Sequence, residues 1–191
     1  MTKPKRPLLY FKNAEEWRNW LHENHHLDAG VELVFYKVAC EEPSMRWEEA
    51  VKVALCYGWI DSTVRKLDDK RRKQYFCPRK SKSVWSAINK GYVDELLEAD
   101  LIHPNGMKAI ELAKENGSWT SLDDVENGIT PEDLQKAFDA NSKAFENFLN
   151  FAKGYRKSYL YWLNQAKREG TRKKRITQII ELCEQNIKQR L

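Results

Sequence analysis

The sequence predicts an α+β protein: a small sheet with covering helices in the N-terminal half, followed by an all-helical C-terminal half. Three observations carry this reading. The segment VELVFYKVA after Gly30 and the segments at 59–66 and 73–78 are rich in β-branched and aromatic residues and too short for helices. From Ser81 onward the capping and periodicity signals are helical. A hydrophobic fraction of 41% and an aromatic fraction of 12% over 191 residues supply a packed core. The expected organisation is an α+β domain over 1–80 and a helical region over 81–191.

Each element has a local justification. Asn13 is a good N-cap with Glu16 three residues on, and Trp17, Trp20 and Leu21 then share a helical face. His22, His25 and His26 end that helix. His22 and His26 stand at i,i+4, but no carboxylate or thiol is placed to complete a metal site, so no metal is expected. After the first strand, Trp47, Ala50, Val51, Ala54 and Leu55 stripe a second helix, which Gly58 ends where a left-handed residue is needed. Segments 59–66 and 73–78, separated by the polar turn LDDKRR, then read as paired strands.

Further on, Ser83 is placed to cap a helix running through Asn89, and Pro104 stands in the first turn of a helix ending at Gly117. Residues 118–128 read as a flexible connection. Thr130-Pro131-Glu132-Asp133 combines an N-cap, a proline at the first helical position and early acids. Asn141 opens a helix with Phe145, Phe148, Leu149 and Ala152 on one face, and Gly154 is expected to break it. Tyr155, Tyr159, Trp162 and Ala166 stripe the next helix. Gly170-Thr171 restarts a last one carrying Ile176, Ile179, Ile180, Cys183 and Ile187.

No apolar segment approaches the roughly 20 residues of a membrane helix. The basic N-terminus is followed by too few apolar residues for a signal-peptide core, so a cytoplasmic location and no membrane insertion are expected. Cys40, Cys56, Cys77 and Cys183 lack CxxC pairing and fit reduced structural thiols. The net charge of +5 is modest, but its distribution is uneven. Residues 65–82 carry Arg65, Lys66, Lys70, Arg71, Arg72, Lys73, Arg79, Lys80 and Lys82 against Asp68 and Asp69, and 153–175 is basic with Glu169 its only acid. Such segregation gives either a basic side or simply solvated faces.

Residues 54–89 hold the candidate chemistry. In a regular strand Trp59, Asp61, Thr63 and Arg65 share one face. An aspartate in mid-strand is disfavoured and calls for a partner such as Arg65 or Arg79, or a role. Residues 78–85 leave a strand and enter a helix, where free N–H groups and fixed positive charge suit an anion. There Arg79 can grip a phosphate or carboxylate bidentately, Lys82 adds point charge, Ser83 donates a hydroxyl, and Trp85 and Asn89 offer a stacking surface beside an amide. In the C-terminal half, Lys167, Thr171, Arg172 and Arg175 form a second basic turn, serving either an anionic ligand or nearby acids. Cys56 sits at a helix C-terminus, which opposes thiolate formation. The sequence contains no GxSxG, P-loop, GxGxxG or HExxH motif, and no cofactor is implied.

These residues resemble the YdeI/OmpD-associated family, also known as bacteriocin-protection proteins. The similarity is carried by Glu48-Glu49-Ala50-Val51, ALCYGWIDS at 54–62, Leu67-Asp68 with Arg71, Pro78-Arg79, Ser83-x-Trp85-Ser86 with Asn89, Ala166-Lys167 and Thr171-Arg172-x-x-Arg175-Ile176. It extends over nearly the whole chain. The chain departs from the pattern at Tyr57 and Ser62, where Phe and Gly are usual, and at Arg46, where Ser or Thr caps. The resemblance implies a C-terminal helical module at about 130–187 and a role in protection against bacteriocins or antimicrobial peptides, with no catalytic residue to carry over.

The leading expectation is therefore a non-catalytic stress or protection protein binding an anionic small molecule or acidic partner. Its site is drawn from Asp61, Arg65, Arg79, Lys82, Ser83, Trp85 and Asn89, with Lys167, Thr171, Arg172 and Arg175. One alternative is nucleic-acid binding through the two basic segments. The other is an enzyme with Asp61 as acid or base, which needs a concave pocket.

Overall fold

The computed structural model describes residues 6–189. One compact unit runs through Thr120 and a second begins at Ser121, later in the chain than the 80/81 boundary expected from the sequence. The reason is packing. The helices that follow the sheet in the chain bury Val93, Leu96, Ile110 and Ala113 in the core of the sheet unit.

In the first unit the elements are β1 (Leu8–Tyr10), α1 (Ala14–Asn24), β2 (Val31–Tyr36), α2 (Trp47–Cys56), β3 (Trp59–Lys66), β4 (Arg71–Pro78), α3 (Ala87–Glu98) and α4 (Pro104–Glu115). The strands form one sheet in the order β1-β2-β4-β3, with β1 parallel to β2 and the other pairs antiparallel. Strand β1 is an addition to the sequence reading. Gly30, just before β2, is required by close approach: a Cβ there would stand 2.3 Å from the Phe76 carbonyl oxygen.

The core lies on the face carrying Val31, Leu33, Phe35 and Phe76, against α1 and α2. Asn13 caps α1 by accepting from the Glu16 amide at 2.9 Å. Trp17 of that helix stacks on Trp20 and meets Trp59 and Phe76 edge-on. The indole N–H groups of Trp17 and Trp59 donate to the carbonyls of Ala50 and His25, so these buried rings carry no unsatisfied donor. Gly58, at φ +75°, ends α2 as its left-handed position requires.

The second unit holds α5 (Asp123–Asn127), α6 (Glu132–Asp139), α7 (Ser142–Asn150), α8 (Lys153–Asn164) and α9 (Glu169–Glu184). Its own core gathers Leu134, Phe138, Ala144, Phe148, Tyr159, Leu160, Leu163, Ile179 and Cys183. Asn141 caps α7 through the Ala144 amide at 3.0 Å.

Several boundaries differ from the expected ones. Residues 118–128, read as a connection, include α5, which buries Val125. Gly154 does not break a helix. Helix α7 already ends at Asn150, and Gly154 is the second residue of α8. Helix α6 starts after Pro131 rather than Thr130, and Gly170 and Thr171 lie inside the first turn of α9, behind Arg168. The four cysteines are free thiols. Among the described residues no helix is long and apolar enough to cross a membrane, and no group of three potential ligands is placed to hold a metal.

Candidate functional site

Asp61 and Arg65 do not share a face. Asp61 lies opposite Phe76, whereas Val64 lies opposite Gln74, so β3 spends three residues where β4 spends two. That bulge reverses the alternation beyond it. Asp61 points to the core side. Arg65, opposite Lys73, points to the other side, where Lys73 bonds Glu32 at 2.5 Å. Neither expected arginine pairs directly with Asp61. Its Oδ2 accepts from the Trp47 indole at 2.9 Å and from the Gln74 amide at 2.5 Å, and Arg72 donates to Gln74 Oε1 at 2.9 Å. Gln74 is buried, so this chain satisfies its polar groups while pinning Trp47 of α2 to the sheet. An open cleft of about 440 Å³, lined by Trp47, Asp61, Ser62, Val64, Arg72 and Gln74, lies beside it.

The segment after β4 is not the helix start predicted from Ser83. The hydroxyl of Ser83 accepts from the Lys80 amide at 3.1 Å and its amide donates back to the Lys80 carbonyl, closing a turn that leaves Lys82 exposed. Helix α3 begins only at Ala87, capped by Ser86, whose hydroxyl accepts from the Asn89 amide at 3.3 Å. Trp85 therefore precedes the helix and does not share a helical face with Asn89. It is 1% exposed and is no open stacking surface.

What Trp85 does instead is carry Arg79. The guanidinium lies 3.5 Å from the centre of the Trp85 ring, and Nη1 donates to the Val84 carbonyl at 3.2 Å. Nε and Nη2 are buried without a hydrogen-bond partner. Burial pushes the arginine pKa down to about 10, while the Asp61 carboxylate pulls it back up. A guanidinium has five N–H donors in a rigid fork, so a buried edge left empty is uncommon.

On its other side Trp85 packs on Trp119, ring centres 4.9 Å apart. The ammonium groups of Lys90 and Lys114 stand 5.4 and 5.2 Å from the Trp119 ring. Asn116 fastens the turn by donating to the Ser81 carbonyl at 2.7 Å. The site is thus a stack of Arg79, Trp85 and Trp119 rimmed by lysines, beside a helix start with no acid in its first turn. Trp119, Lys90 and Lys114 were missed by the sequence reading. The signal was a tryptophan in a polar connection, a residue too large and apolar to be left in solvent without cause.

The other predicted residues belong to the second unit. Lys167 is exposed between α8 and α9, and Thr171 is half-buried. Arg172 forms a bidentate pair with Asp133, Nε to Oδ2 at 2.5 Å and Nη2 to Oδ1 at 2.8 Å. That hydrogen-bonded pairing holds the Asp133 carboxyl below its usual range and raises Arg172. Arg175 donates to the Trp162 carbonyl at 2.5 Å and lies over the Trp162 ring. Both arginines thus have partners within their own unit.

Fold and site together define a two-unit protein, an α+β unit bearing an arginine–tryptophan stack followed by a helical unit. The chain belongs to the family described as domain of unknown function DUF8412, whose model matches residues 9–109. Residues 127–186 match the model described as Bacteriocin-protection, YdeI or OmpD-Associated. The YdeI/OmpD-associated resemblance read over nearly the whole chain is therefore carried by the helical module. No curated protein and no solved structure matches the chain.

Proposed function

We propose that this is a non-catalytic, cytoplasmic protein of stress or bacteriocin and antimicrobial-peptide protection, and that it acts by holding an anionic group at the Arg79 stack. The protective role follows the description of the family matched at 127–186. The binding reading rests on one observation: Arg79 keeps two guanidinium nitrogens without a hydrogen bond inside the fold. A carboxylate or phosphate oxygen is the group that satisfies such an edge. Lys82, Lys90 and Lys114 supply the surrounding positive charge.

Thermal unfolding with inorganic phosphate and with acetate as separate probes tests this reading. The wild-type midpoint rises with probe concentration, and Arg79→Met removes the rise while remaining folded. A wild-type midpoint that ignores both probes, or an Arg79→Met variant that responds equally, sinks it.

A second reading, single-stranded nucleic acid, is favoured by a different surface. The sheet face away from the core carries Tyr10, Tyr36 and Tyr75, with Arg6 over the Tyr75 ring and Arg65 exposed at the edge. It predicts binding that weakens steeply with salt and is lost on Tyr75→Ala. Unchanged fluorescence anisotropy of labelled oligonucleotides at low salt removes it.

A further inference from the structure

All four histidines of the chain meet at one place. Ring centres of His25 and His103 are 4.6 Å apart, those of His22 and His103 5.9 Å, and those of His25 and His26 6.1 Å. Tyr57 completes the group, stacked on His103 at 4.9 Å and near His25 at 5.6 Å. Three elements converge here: the end of α1, the end of α2 and the start of α4.

His103 has a specific task in this cluster. It is the N-cap of α4, and its Nδ1 accepts from the Asn105 amide at 3.2 Å. An imidazole can accept at Nδ1 only in the neutral form with its proton on Nε2. Protonated, it turns a second N–H toward the Asn105 N–H, and the cap is lost. The positive end of the α4 dipole also opposes a cation there. The charges that act on His103 are those of His25 and His22, and no carboxylate is among them. Burial first, and then the charges of His25 and His22, hold His103 below the ordinary histidine value. His25 is anchored differently, with Nδ1 bonded to the Leu21 and His22 carbonyls at the end of α1, where positive charge is tolerated.

The surroundings make the cap matter. The His103 amide donates to the Cys56 carbonyl at 3.0 Å, and Asn105 donates to the Tyr57 carbonyl at 2.8 Å. Gly106 approaches so closely that a Cβ would fall 2.2 Å from the Cys56 carbonyl oxygen. The charged groups near this joint are His22, His25 and His26 of α1, and Arg18, which reaches the Cys56 sulfur. At its far end α4 leads into Asn116, which fastens the turn below Arg79.

We propose that the histidine cluster is an acid-sensitive clasp: protonation of His103 beside His22 and His25 uncaps α4 and loosens its joint with the ends of α1 and α2. The sign follows from the neutral requirement. The clasp is closed above the ordinary histidine value of about 6.5 and opens as pH falls through the lower value of the folded state. The proposal is independent of anion binding, because its readouts involve no ligand.

The experiment is amide hydrogen exchange and histidine-ring NMR on the full chain between about pH 7.5 and about pH 5. Exchange of the Asn105 amide, corrected for intrinsic rates, is expected to quicken about fivefold on acidification, the equivalent of one lost cap. In His103→Ser, which keeps a hydroxyl cap that does not titrate, the corrected rate stays level. In the wild type the Asn105 amide shift follows the titration of the His103 ring, a measurement that stands even if the variant fails to fold. A corrected rate that ignores pH in the wild type, an equal acid response in His103→Ser, or an Asn105 shift that does not track His103 overturns the proposal.

Discussion

The cations of the β3–β4 hairpin and the cation just beyond it are neutralised in different ways. Lys66 meets Asp69 at 2.5 Å, Arg71 meets Asp68 at 2.6 Å, Lys73 meets Glu32 at 2.5 Å, and Lys70 stands 4.0 Å from Glu42. Most of these pairs are at the surface, where water already solvates the charges and each pair contributes little. Arg79, one residue past β4, has an indole face, one carbonyl and a more distant Asp61. Lys66, Lys70, Arg71 and Lys73 thus each have a carboxylate partner, whereas Arg79 is desolvated and under-bonded. A basic stretch is therefore not one feature, and only its buried member has unmet hydrogen-bonding demand.

That contrast is open to disruption, and the largest effect falls on the buried side. Trp85→Ala removes the floor under Arg79 and leaves a large cavity next to Trp119, so a loss of about 3–5 kcal/mol in urea unfolding is expected. Arg79→Ala, which deletes both charge and stem, costs about 2 kcal/mol through the lost stacking. Arg79→Met keeps the stem and removes the desolvated charge, and its stability is equal to or above that of the wild type. If Met and Ala are equally destabilising at this position, the charge rather than the packing holds the loop.

The second unit sharpens the comparison from the other side. Asp133→Asn breaks the bidentate pair with Arg172, which is partly exposed, and up to about 1 kcal/mol is expected. The Asp133 carboxyl is held low, so its contribution is present above the ordinary carboxylate range and fades as pH falls through the lowered value. The wild-type advantage over Asp133→Asn thus narrows in acid, as unfolding curves at several pH values would reveal. The smallest effect belongs to the hairpin. Lys66→Ala or Lys70→Ala changes stability by no more than about 0.5 kcal/mol.

How much of this was legible in the sequence depended on the range of the interaction. The caps at Asn13 and Asn141 and the left-handed Gly58 were readable because a few neighbouring residues determine them. The switch of face between Asp61 and Arg65 was not, because a bulge exists only relative to the register of a partner strand. Strand β1 was invisible for the same reason, since three residues acquire strand geometry by pairing with β2. The seven N-terminal candidates do not gather at one place. Arg79 and Trp85 touch, Lys82 and Ser83 belong to the adjoining turn, Asn89 is bonded to Ser86, and Asp61 and Arg65 are directed elsewhere. Arg79 was legible as a candidate anion ligand, but its burial against Trp85 was not, because composition reports sign and not depth. The start of α4 was legible from Pro104, while the meeting of His103 with His22 and His25 depends on tertiary packing.

The bulge between Asp61 and Val64 has a consequence apart from the site. Strand β3 is the last of the sheet, and its outer backbone groups are a template on which a second chain could add. A flat strand of eight residues would extend readily into an intermolecular sheet. The extra residue bends this one, and the exposed Ser62, Thr63, Arg65 and Lys66 keep its rim polar and charged. Deleting one residue of the bulge would straighten the rim, and concentration-dependent light scattering would register the resulting self-association.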